Sequence, residues 1–135
     1  MSEMNEAAKT QPAFAEFLGL KITHVSRERV TAELTAREEL NNRHGIMHGG
    51  AIMALADNLG GTATTANLGP GQTTATIESK TNFFAGIPIG DVAKAECVPL
   101  HRGSKTMVWQ TRITRGDGRL CALVTQTQIV LDPKK

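Results

Sequence analysis

The sequence predicts an α+β protein in which a curved antiparallel sheet wraps around one long central helix. Two observations favour this fold class. Residues 45–77 contain one fully charged side chain, Asp57, and their first part repeats apolar residues at helical spacing. The segments on either side of this stretch alternate apolar and polar residues, which is typical of half-buried strands. A sheet that encloses a single helix is the simplest arrangement that buries both apolar surfaces.

The length and composition are those of one soluble domain. The chain has 135 residues, and we expect one domain at residues 12–135 after a disordered tail at residues 1–11. The net charge of +2 does not point to nucleic acid as a partner. No apolar run is long enough to span a membrane and the N-terminus lacks a secretory signal, so we expect a cytoplasmic location. Cys97 and Cys121 lie in alternating runs and are expected to be buried thiols.

The first elements are a short helix and a hairpin. Pro12 suits the start of a helix and Gly19 suits its end. Two strands follow at residues 20–25 and 30–36, joined by a turn, and residues 36–45 form a polar connection. The apolar face of the short helix is expected to consist of Phe14, Phe17 and Leu18.

The long helix is expected to begin at Gly49 and Gly50 and to end at Asn67. Its apolar face consists of Ile52, Leu55, Ala56, Leu59, Ala63 and Ala66. Its opposite face consists of Gly50, Ala54, Asp57 and Gly61. A solvent-facing surface would carry Lys and Glu, so these small residues predict close approach by a second backbone or a ligand, and a helix buried nearly all round. Because burying an unpaired carboxylate is costly, Asp57 is the candidate chemical centre.

Four more strands are predicted after Pro70. Alternation places them at residues 73–84, 91–100, 105–116 and 119–132. The segments between them have the composition of turns, so we expect the four strands to pair in sequence order as a meander.

Residues 42–61 carry a specific family resemblance. Asn42, the run His48-Gly49-Gly50 and the run Leu55-Ala56-Asp57 resemble the hotdog-fold acyl-CoA thioesterases, and within them the branch associated with phenylacetate degradation. The similarity continues through residues 76–91 and 101–113, so it covers the chain from about residue 14 to the end. The resemblance implies the hotdog fold, hydrolysis of an acyl-CoA thioester and no cofactor.

The chemistry expected of this family has candidates on the long helix. The first amides of a helix lack partners and carry partial positive charge, so the Gly49 N–H suits a developing oxyanion, and the resemblance selects the same amide. Asp57 is expected to act either as the base that activates water or as the nucleophile that forms an anhydride. The two residues are eight positions apart, or about 12 Å along a helix. Since both must reach one carbonyl, the site is expected to join Gly49 of one subunit to Asp57 of another. The resemblance likewise implies dimers, commonly paired into tetramers.

Further residues complete the expected site. Asn42 is expected to orient the water or the thioester, and His48 to hold the loop before the helix. The resemblance places a water-positioning hydroxyl on the next strand, where Thr76 is the first candidate and Thr74 or Ser79 the alternatives. Arg102 is the first choice for a contact to the CoA phosphates, in a turn formed with Gly103, Ser104 and Lys105. Other expected substrate contacts are Gly50, Phe83, Gly86 and Pro88, of which the resemblance places Gly86 and Pro88 on the pantetheine channel.

Simpler interpretations remain open at this point. Asp57 is also compatible with a structural carboxylate, and Arg102 with an ordinary exposed turn. His44 and His48 have ligand-like spacing but no evident third ligand, so no metal is expected. The chain has no GxSxG motif and no histidine partner for either cysteine, which excludes serine and cysteine hydrolases. The predicted function is hydrolysis of an aryl- or medium-chain acyl-CoA. The alternatives are a non-catalytic acyl-CoA-binding module and a hotdog hydratase or dehydratase.

Overall fold

The computed structural model describes residues 3–134 and contains two α-helices and six strands in these residues. They are α1 (Ala13–Leu18), β1 (Lys21–Val25), β2 (Val30–Thr35), α2 (Gly49–Ala66), β3 (Thr73–Phe83), β4 (Val92–Arg102), β5 (Thr106–Thr114) and β6 (Leu120–Leu131). The six strands form one antiparallel sheet, and α2 contacts all six of them. The predicted fold class is confirmed. Within the described part of the chain, no helix has the length and apolar composition that crossing a bilayer requires.

The order of strands differs from the predicted meander. The sheet has the order β1-β2-β4-β5-β6-β3, so the last three strands form a meander but β3 pairs with β6 at the edge, and β4 pairs with β2. The segment between β3 and β4 is a crossing connection rather than a hairpin turn. Its Phe84 N–H donates to the Cys121 carbonyl, and its Gly90 N–H donates to the Ala36 carbonyl. Alternation identifies each strand but contains no information about its distant partners, which explains the error.

The hydrophobic core lies between α2 and the sheet. Leu55, Leu59 and Ala63 on α2 are fully buried, and the Trp109 Nε1–H on β5 donates to Thr64 Oγ1 at 2.8 Å. The free thiols of Cys97 and Cys121 are buried, as predicted. Strand residues therefore pack against the whole side of α2 that faces the sheet.

The other side of α2 corrects the expectation of a helix buried nearly all round. In the single chain, Gly50 and Asp57 are exposed, and the side chain of Met53 is 41% exposed. On the face of small residues, the open face of α2, Gly50 and Asp57 are therefore exposed, while Ala54 and Gly61 are half-buried. An uncharged surface was interpreted from the sequence as interior, whereas this one lies at the surface of the chain.

The N-terminal segment also differs from the prediction of a disordered tail. Residues 3–11 contain a 3₁₀ turn, Glu6–Lys9, and Ala8 is 2% exposed. The Asn5 N–H donates to the last carbonyl of α2, at Ala66, and Gln11 Oε1 accepts from Asn58 Nδ2 at 2.7 Å. These hydrogen bonds and the buried alanine attach the segment to α2. Residues 1, 2 and 135 lie outside the described residues.

Helix α1 has the predicted bounds but not the predicted buried face. Gly19 ends it in the left-handed region with φ of 85°, a conformation that favours glycine. Of the expected apolar face, Leu18 is buried, whereas Phe14 and Phe17 are 61% and 74% exposed. The helix packs instead through Ala15 and Leu18, which are 1% and 5% exposed.

Candidate active site

The N-terminus of α2 presents one free amide. His48 is the N-cap, and its Nδ1 accepts from the Gly50 N–H at 2.8 Å, while its own N–H donates to the Leu40 carbonyl at 2.7 Å. No hydrogen bond among residues 3–134 uses the Gly49 N–H. The cap therefore occupies the second amide of the helix and leaves the first one available to a ligand. The ring of Phe83 lies beside it, with Cζ 3.3 Å from where a Cβ on Gly49 would be.

The loop before α2 is built around Asn42. Its Oδ1 accepts from the His44 N–H at 2.7 Å and from the Ile46 N–H at 3.3 Å. No hydrogen bond of the described residues involves its Nδ2, which keeps that amide available to donate. Ile46 then pairs with Pro88 as an isolated bridge and lies against Gly86. The structure thus brings four predicted site residues, Asn42, His48, Gly86 and Pro88, to the N-terminal end of α2.

Asp57 lies two turns further along α2, with its side chain exposed in the single chain. Its Oδ1 accepts two hydrogen bonds, from Thr76 Oγ1 at 2.7 Å and from Gln126 Nε2 at 3.0 Å. No hydrogen bond within residues 3–134 uses its Oδ2. The alternative hydroxyls do not contact the carboxylate: Thr74 donates to the Ile129 carbonyl, and Ser79 Oγ is buried without a hydrogen-bond partner in the described part of the chain. Of the three candidates, Thr76 is the one that contacts the carboxylate.

Two buried glutamines beside Asp57 were missed by sequence reasoning. Gln126 and Gln128 are each 1% exposed and lie on the face of β6 that packs against α2. Alternation along the strand places both on the same face as Ala122 and Val124, which are fully buried. Two amides on the apolar side of an alternating strand were therefore the available signal. Because glutamine is usually solvent-facing, the two residues were not recognised from the sequence as buried.

Two clefts adjoin the open face of α2. One, of about 220 Å³, lies between α1 and the first turns of α2, and its lining includes Phe14, Leu18, Leu40, Gly50 and Ala54. The other, of about 270 Å³, is lined by Asp57, Thr76 and Gln128 and is bordered by the N-terminal segment. The Gly50 N–H is bonded to His48 and is therefore not available to a substrate. Gly50 contributes to the first cleft only through the space left by its missing side chain.

The candidate phosphate contacts lie at the opposite end of the helix. Arg102 Nη1 lies 3.3 Å from Oδ1 of Asn67, the C-cap of α2, and 3.7 Å from Oε1 of Glu28. Arg102, Gly103 and Ser104 line a cleft of about 480 Å³ there. Lys105 is exposed beside it. Within one chain, these residues are not brought together with Gly49 or Asp57.

The two thiols and the histidines offer little alternative chemistry. Burial raises the pKa of the Cys97 thiol to about 12, with a smaller opposing effect from its hydrogen bond to Thr111, and burial also raises the pKa of the Cys121 thiol. A neutral, buried thiol is a poor nucleophile. Among residues 3–134 there is no group of three His, Cys, Asp or Glu side chains placed to hold a metal ion.

Comparison with known proteins places the chain in a family. Residues 44–122 match the family model described as the thioesterase superfamily. The chain is 30% identical over 115 residues to the 1,4-dihydroxy-2-naphthoyl-CoA hydrolase of Escherichia coli, covering 85% of this chain and 84% of that protein. It is 29% identical over 106 residues to the proofreading thioesterase EntH of Cronobacter turicensis, covering 78% and 77%.

A solved structure supports the same fold. The PaaI protein from the phenylacetic acid degradation operon of E. coli superposes with a TM-score of 0.85 at 22% identity, covering 96% of this chain and 91% of that one. At this identity the likeness concerns the fold alone. Together with the matched family and the two named relatives, it leads to one conclusion: the chain belongs to the thioesterase superfamily, has the hotdog fold, and is a thioester hydrolase.

Proposed function

We propose that the protein hydrolyses an aryl- or medium-chain acyl-CoA to the free acid and CoA, at a site built from two subunits. The observation that carries this proposal is the separation of two available groups on one helix. The Gly49 N–H and the Asp57 Oδ2 have no partner among residues 3–134, yet they lie eight residues apart, or about 12 Å along α2. One thioester cannot contact both groups of the same chain.

The two groups supply complementary chemistry. The Gly49 N–H, at the positive end of the helix, stabilises the oxyanion that forms when the thioester carbonyl is attacked. Asp57 acts from the other subunit, either by taking a proton from the attacking water or by attacking the carbonyl through Oδ2. In both routes the C–S bond breaks, the CoA thiolate leaves and takes up a proton, and water supplies the oxygen of the acid. Thr76 holds Oδ1 at 2.7 Å and lies where it can position the water.

A second subunit would cover surfaces that the single chain leaves open. The 11-residue strand β3 is at the edge of the sheet, and Ile77 and Phe83 on it are more than half exposed. Long edge strands with exposed apolar side chains favour pairing with another chain. Pairing two copies of β3 about a two-fold axis would run the two α2 helices antiparallel and bring the open face of one to that of the other. We propose a homodimer of this kind, with a homotetramer as the further assembly.

The acyl group is proposed to bind in the apolar cleft beside α1. The aromatic and aliphatic lining of this cleft, with Phe14 and Leu18 on one side and Ala54 on the other, suits an aryl or medium-chain group. The relative from E. coli is named for an aromatic acyl-CoA, which supports the aryl class. Arg102 contacts Asn67, which lies ten residues beyond Asp57, or about 15 Å along α2, so an extended pantetheine arm would bring the CoA phosphates to Arg102. We expect this activity in the cytoplasm, where free thiols such as Cys97 stay reduced.

The first experiment measures thiol release from benzoyl-CoA, phenylacetyl-CoA and octanoyl-CoA. We expect turnover of at least one substrate and its loss in Asp57→Asn. Tight binding without thiol release would instead identify an acyl-CoA-binding module. Hydration of an enoyl-CoA without thiol release would identify a hydratase. The engagement of His48 Nδ1 with the Gly50 N–H argues against the latter.

The oxyanion donor can be tested by removing a single hydrogen bond donor. Gly49 is the first residue of α2 and follows a residue with extended backbone, His48 at φ −61° and ψ 136°, so proline fits this position. Gly49→Pro deletes the N–H and should lower kcat by about 10²–10³-fold. Gly49→Ala is the matched control, since its Cβ meets the Phe83 ring in the same way but its N–H remains. Equal losses in both variants would assign the effect to Phe83 and reject the amide.

Mixing the two inactive variants tests the shared site. When Gly49→Pro and Asp57→Asn chains are co-expressed with different tags, half of the dimers should be mixed, and each mixed dimer should have one intact site and one doubly altered site. The mixture should therefore recover about a quarter of the wild-type activity. A site contained within one chain would recover none, and full activity in an isolated monomer would reject the dimer.

A further inference from the structure

Two glutamines occupy a part of the core where apolar side chains would be expected. Gln126 and Gln128 on β6 are each 1% exposed, next to the fully buried Ala122 and Val124 on the same face. Burying a primary amide is costly unless its donors and acceptors are met. Both glutamines also lie beyond residues 44–122, the segment that matches the family model. These features call for a local structural reason.

The surroundings of Gln126 fix which end of its amide faces Asp57. Its Nε2 lies 3.0 Å from Asp57 Oδ1, 3.2 Å from the Asp57 carbonyl oxygen and 2.7 Å from Gln128 Oε1. All three are acceptors, so the NH₂ group fits this position, whereas a carbonyl oxygen would be repelled there. With two hydrogens for three acceptors, the Gln126 NH₂ group donates one to Gln128 Oε1 and shares the other between the carboxylate and the backbone carbonyl of Asp57.

A short hydrogen-bond relay keeps the neighbouring amide in the matching orientation. Thr74 donates its hydroxyl proton to the Ile129 carbonyl at 2.8 Å, which leaves Thr74 Oγ1 to accept from Gln128 Nε2 at 3.1 Å. This contact turns Gln128 Oε1 towards Gln126. The hydrogen bonds therefore connect the Ile129 carbonyl, Thr74, Gln128 and Gln126 in turn to the carboxylate of Asp57, and each contact orients the next side chain.

Gly60 provides the space in which the Gln126 side chain lies. A Cβ on Gly60 would be under 3 Å from all three atoms of the Gln126 amide group, and Oε1 would be the nearest of them. Any larger residue at position 60 would therefore displace the amide. Glycine inside a helix costs about 1 kcal/mol relative to alanine. In α2, the glycine leaves the space that the Gln126 amide occupies, with Gln126 Oε1 buried and without a hydrogen-bond partner among residues 3–134.

We infer that Gln126 is a positioning residue for Asp57, held by Gln128 and Thr74 and admitted by Gly60. This inference rests on the proposed function, in which Asp57 attacks or activates water. Gln126 Nε2 donates to Oδ1, and the Thr76 hydroxyl, whose one proton is shared between Asp57 Oδ1 at 2.7 Å and Gln128 Oε1 at 2.5 Å, lies beside the same oxygen. Both contacts hold the carboxylate through Oδ1 and leave Oδ2 free. The buried amides thus determine which oxygen of Asp57 is free to react.

The experiment compares Gln126→Met, which keeps the volume but has no donor, with Thr127→Val on the opposite face of β6. Loss of a hydrogen bond to a charged group should lower kcat by at least about tenfold in Gln126→Met, with KM changed less than twofold. Thr127→Val should retain the wild-type kcat. On an Asp57→Asn background, Gln126→Met should cause no further loss of kcat, because its effect acts through the carboxylate. A purely structural role would instead lower kcat on both backgrounds.

Gly60→Ala tests the same idea from the other side of the contact. It should displace the Gln126 amide and lower kcat as Gln126→Met does, whereas combining it with Gln126→Ala should cost no more kcat than Gln126→Ala alone. Thr74→Val, which removes only the far end of the relay, gives a milder version of the test if Gln126→Met does not fold. An unchanged kcat in these folded variants, with an active wild-type enzyme, would overturn the inference and leave the proposed function intact.

A crystal structure of Gln126→Met gives a readout that does not depend on turnover. We expect the Asp57 carboxylate to lose its single orientation and its contact with Thr76. An unchanged carboxylate would overturn the inference even if no acyl-CoA is hydrolysed by the wild-type protein. Absence of hydrolysis in the wild type, with the expected change in this structure, would reject only the proposed function.

Discussion

The two faces of α2 both lack Lys, Arg and Glu but lie in opposite environments. Towards the sheet, Leu55, Leu59 and Ala63 are fully buried. On the other side, Gly50 and Asp57 are exposed in the single chain. Neither face carries Lys, Arg or Glu, but for different reasons: one packs against strands of its own chain, and we propose that the other faces a second subunit and the substrate. An uncharged helix surface therefore indicates contact without identifying the partner.

The largest expected effect is a loss of kcat without a loss of stability, for a variant of Asp57 on the open face. Asp57→Asn keeps an acceptor for Thr76 and Gln126 but removes the charge, so kcat should fall by about 10²–10⁴-fold. Because the side chain is exposed, Tm should change little. Steady-state thiol release and thermal unfolding measure the two quantities.

The matched control for this variant is Asp132→Asn, at an exposed carboxylate near the C-terminus. It should retain the wild-type kcat. A large fall in Tm for Asp57→Asn without a fall in kcat would make Asp57 a structural carboxylate and reverse the contrast between the faces.

The second effect concerns the face that packs on the sheet. Leu59→Ala should lower the free energy of unfolding by about 2–5 kcal/mol, because it leaves a cavity between α2 and the strands. Met53→Ala, on the open face of the same helix, should cost much less in the monomer, since its side chain is already 41% exposed. Urea unfolding at low protein concentration compares the two. Equal losses would mean that the open face is as well packed as the core.

The smallest effect is the pH dependence that Cys97 gives to the core. Its pKa is about 12 when folded, against an ordinary value of 9.0, because burial disfavours the thiolate. The stability from this raised pKa is full below pH 9 and is lost as the pH rises towards 12, because the unfolded chain releases its proton first. Between these values the loss is at most about 1.4 kcal/mol per pH unit.

Urea unfolding at pH 8 and pH 10 measures this contribution, with Cys97→Ala as the comparison. Wild-type protein should lose more stability than Cys97→Ala over this interval. An equal loss in both proteins would show that the thiol ionises as easily in the folded core as in the unfolded chain.

Local features of the fold were predictable from the sequence, and pairings between distant segments were not. The helical spacing of Leu55 and Leu59, with glycines at the start and Asn67 at the end, predicted α2 correctly. Alternation predicted each strand, but the position of β3 beside β6 depends on a connection that crosses from one end of the sheet to the other. A period-two pattern shows which side of a strand is buried but does not identify the neighbouring strand, since any strand of suitable length could pair there.

The candidate site followed the same division. The Gly49 amide and Asp57 were predicted from local features, the start of a helix and a single charge in an uncharged run, together with the family resemblance. Gln126 was missed because its proposed role depends on two long-range facts: that β6 packs against α2, and that Gly60 leaves room for its amide. Asp57 was expected to be buried, because the sequence alone does not distinguish the core of a chain from the interface of an assembly.

The bulge in β3 affects how this site is to be compared between relatives. The register against β6 shifts between Thr76 and Glu78, so Ile77 is an extra residue, 58% exposed, and the alternation reverses there. Thr76 faces the helix before the bulge, and Ser79 has a buried hydroxyl after it. A related strand without the extra residue would direct a hydroxyl to the carboxylate from a neighbouring position in an alignment. Equivalent hydroxyls are therefore matched by the face of the strand they occupy rather than by their position in an alignment.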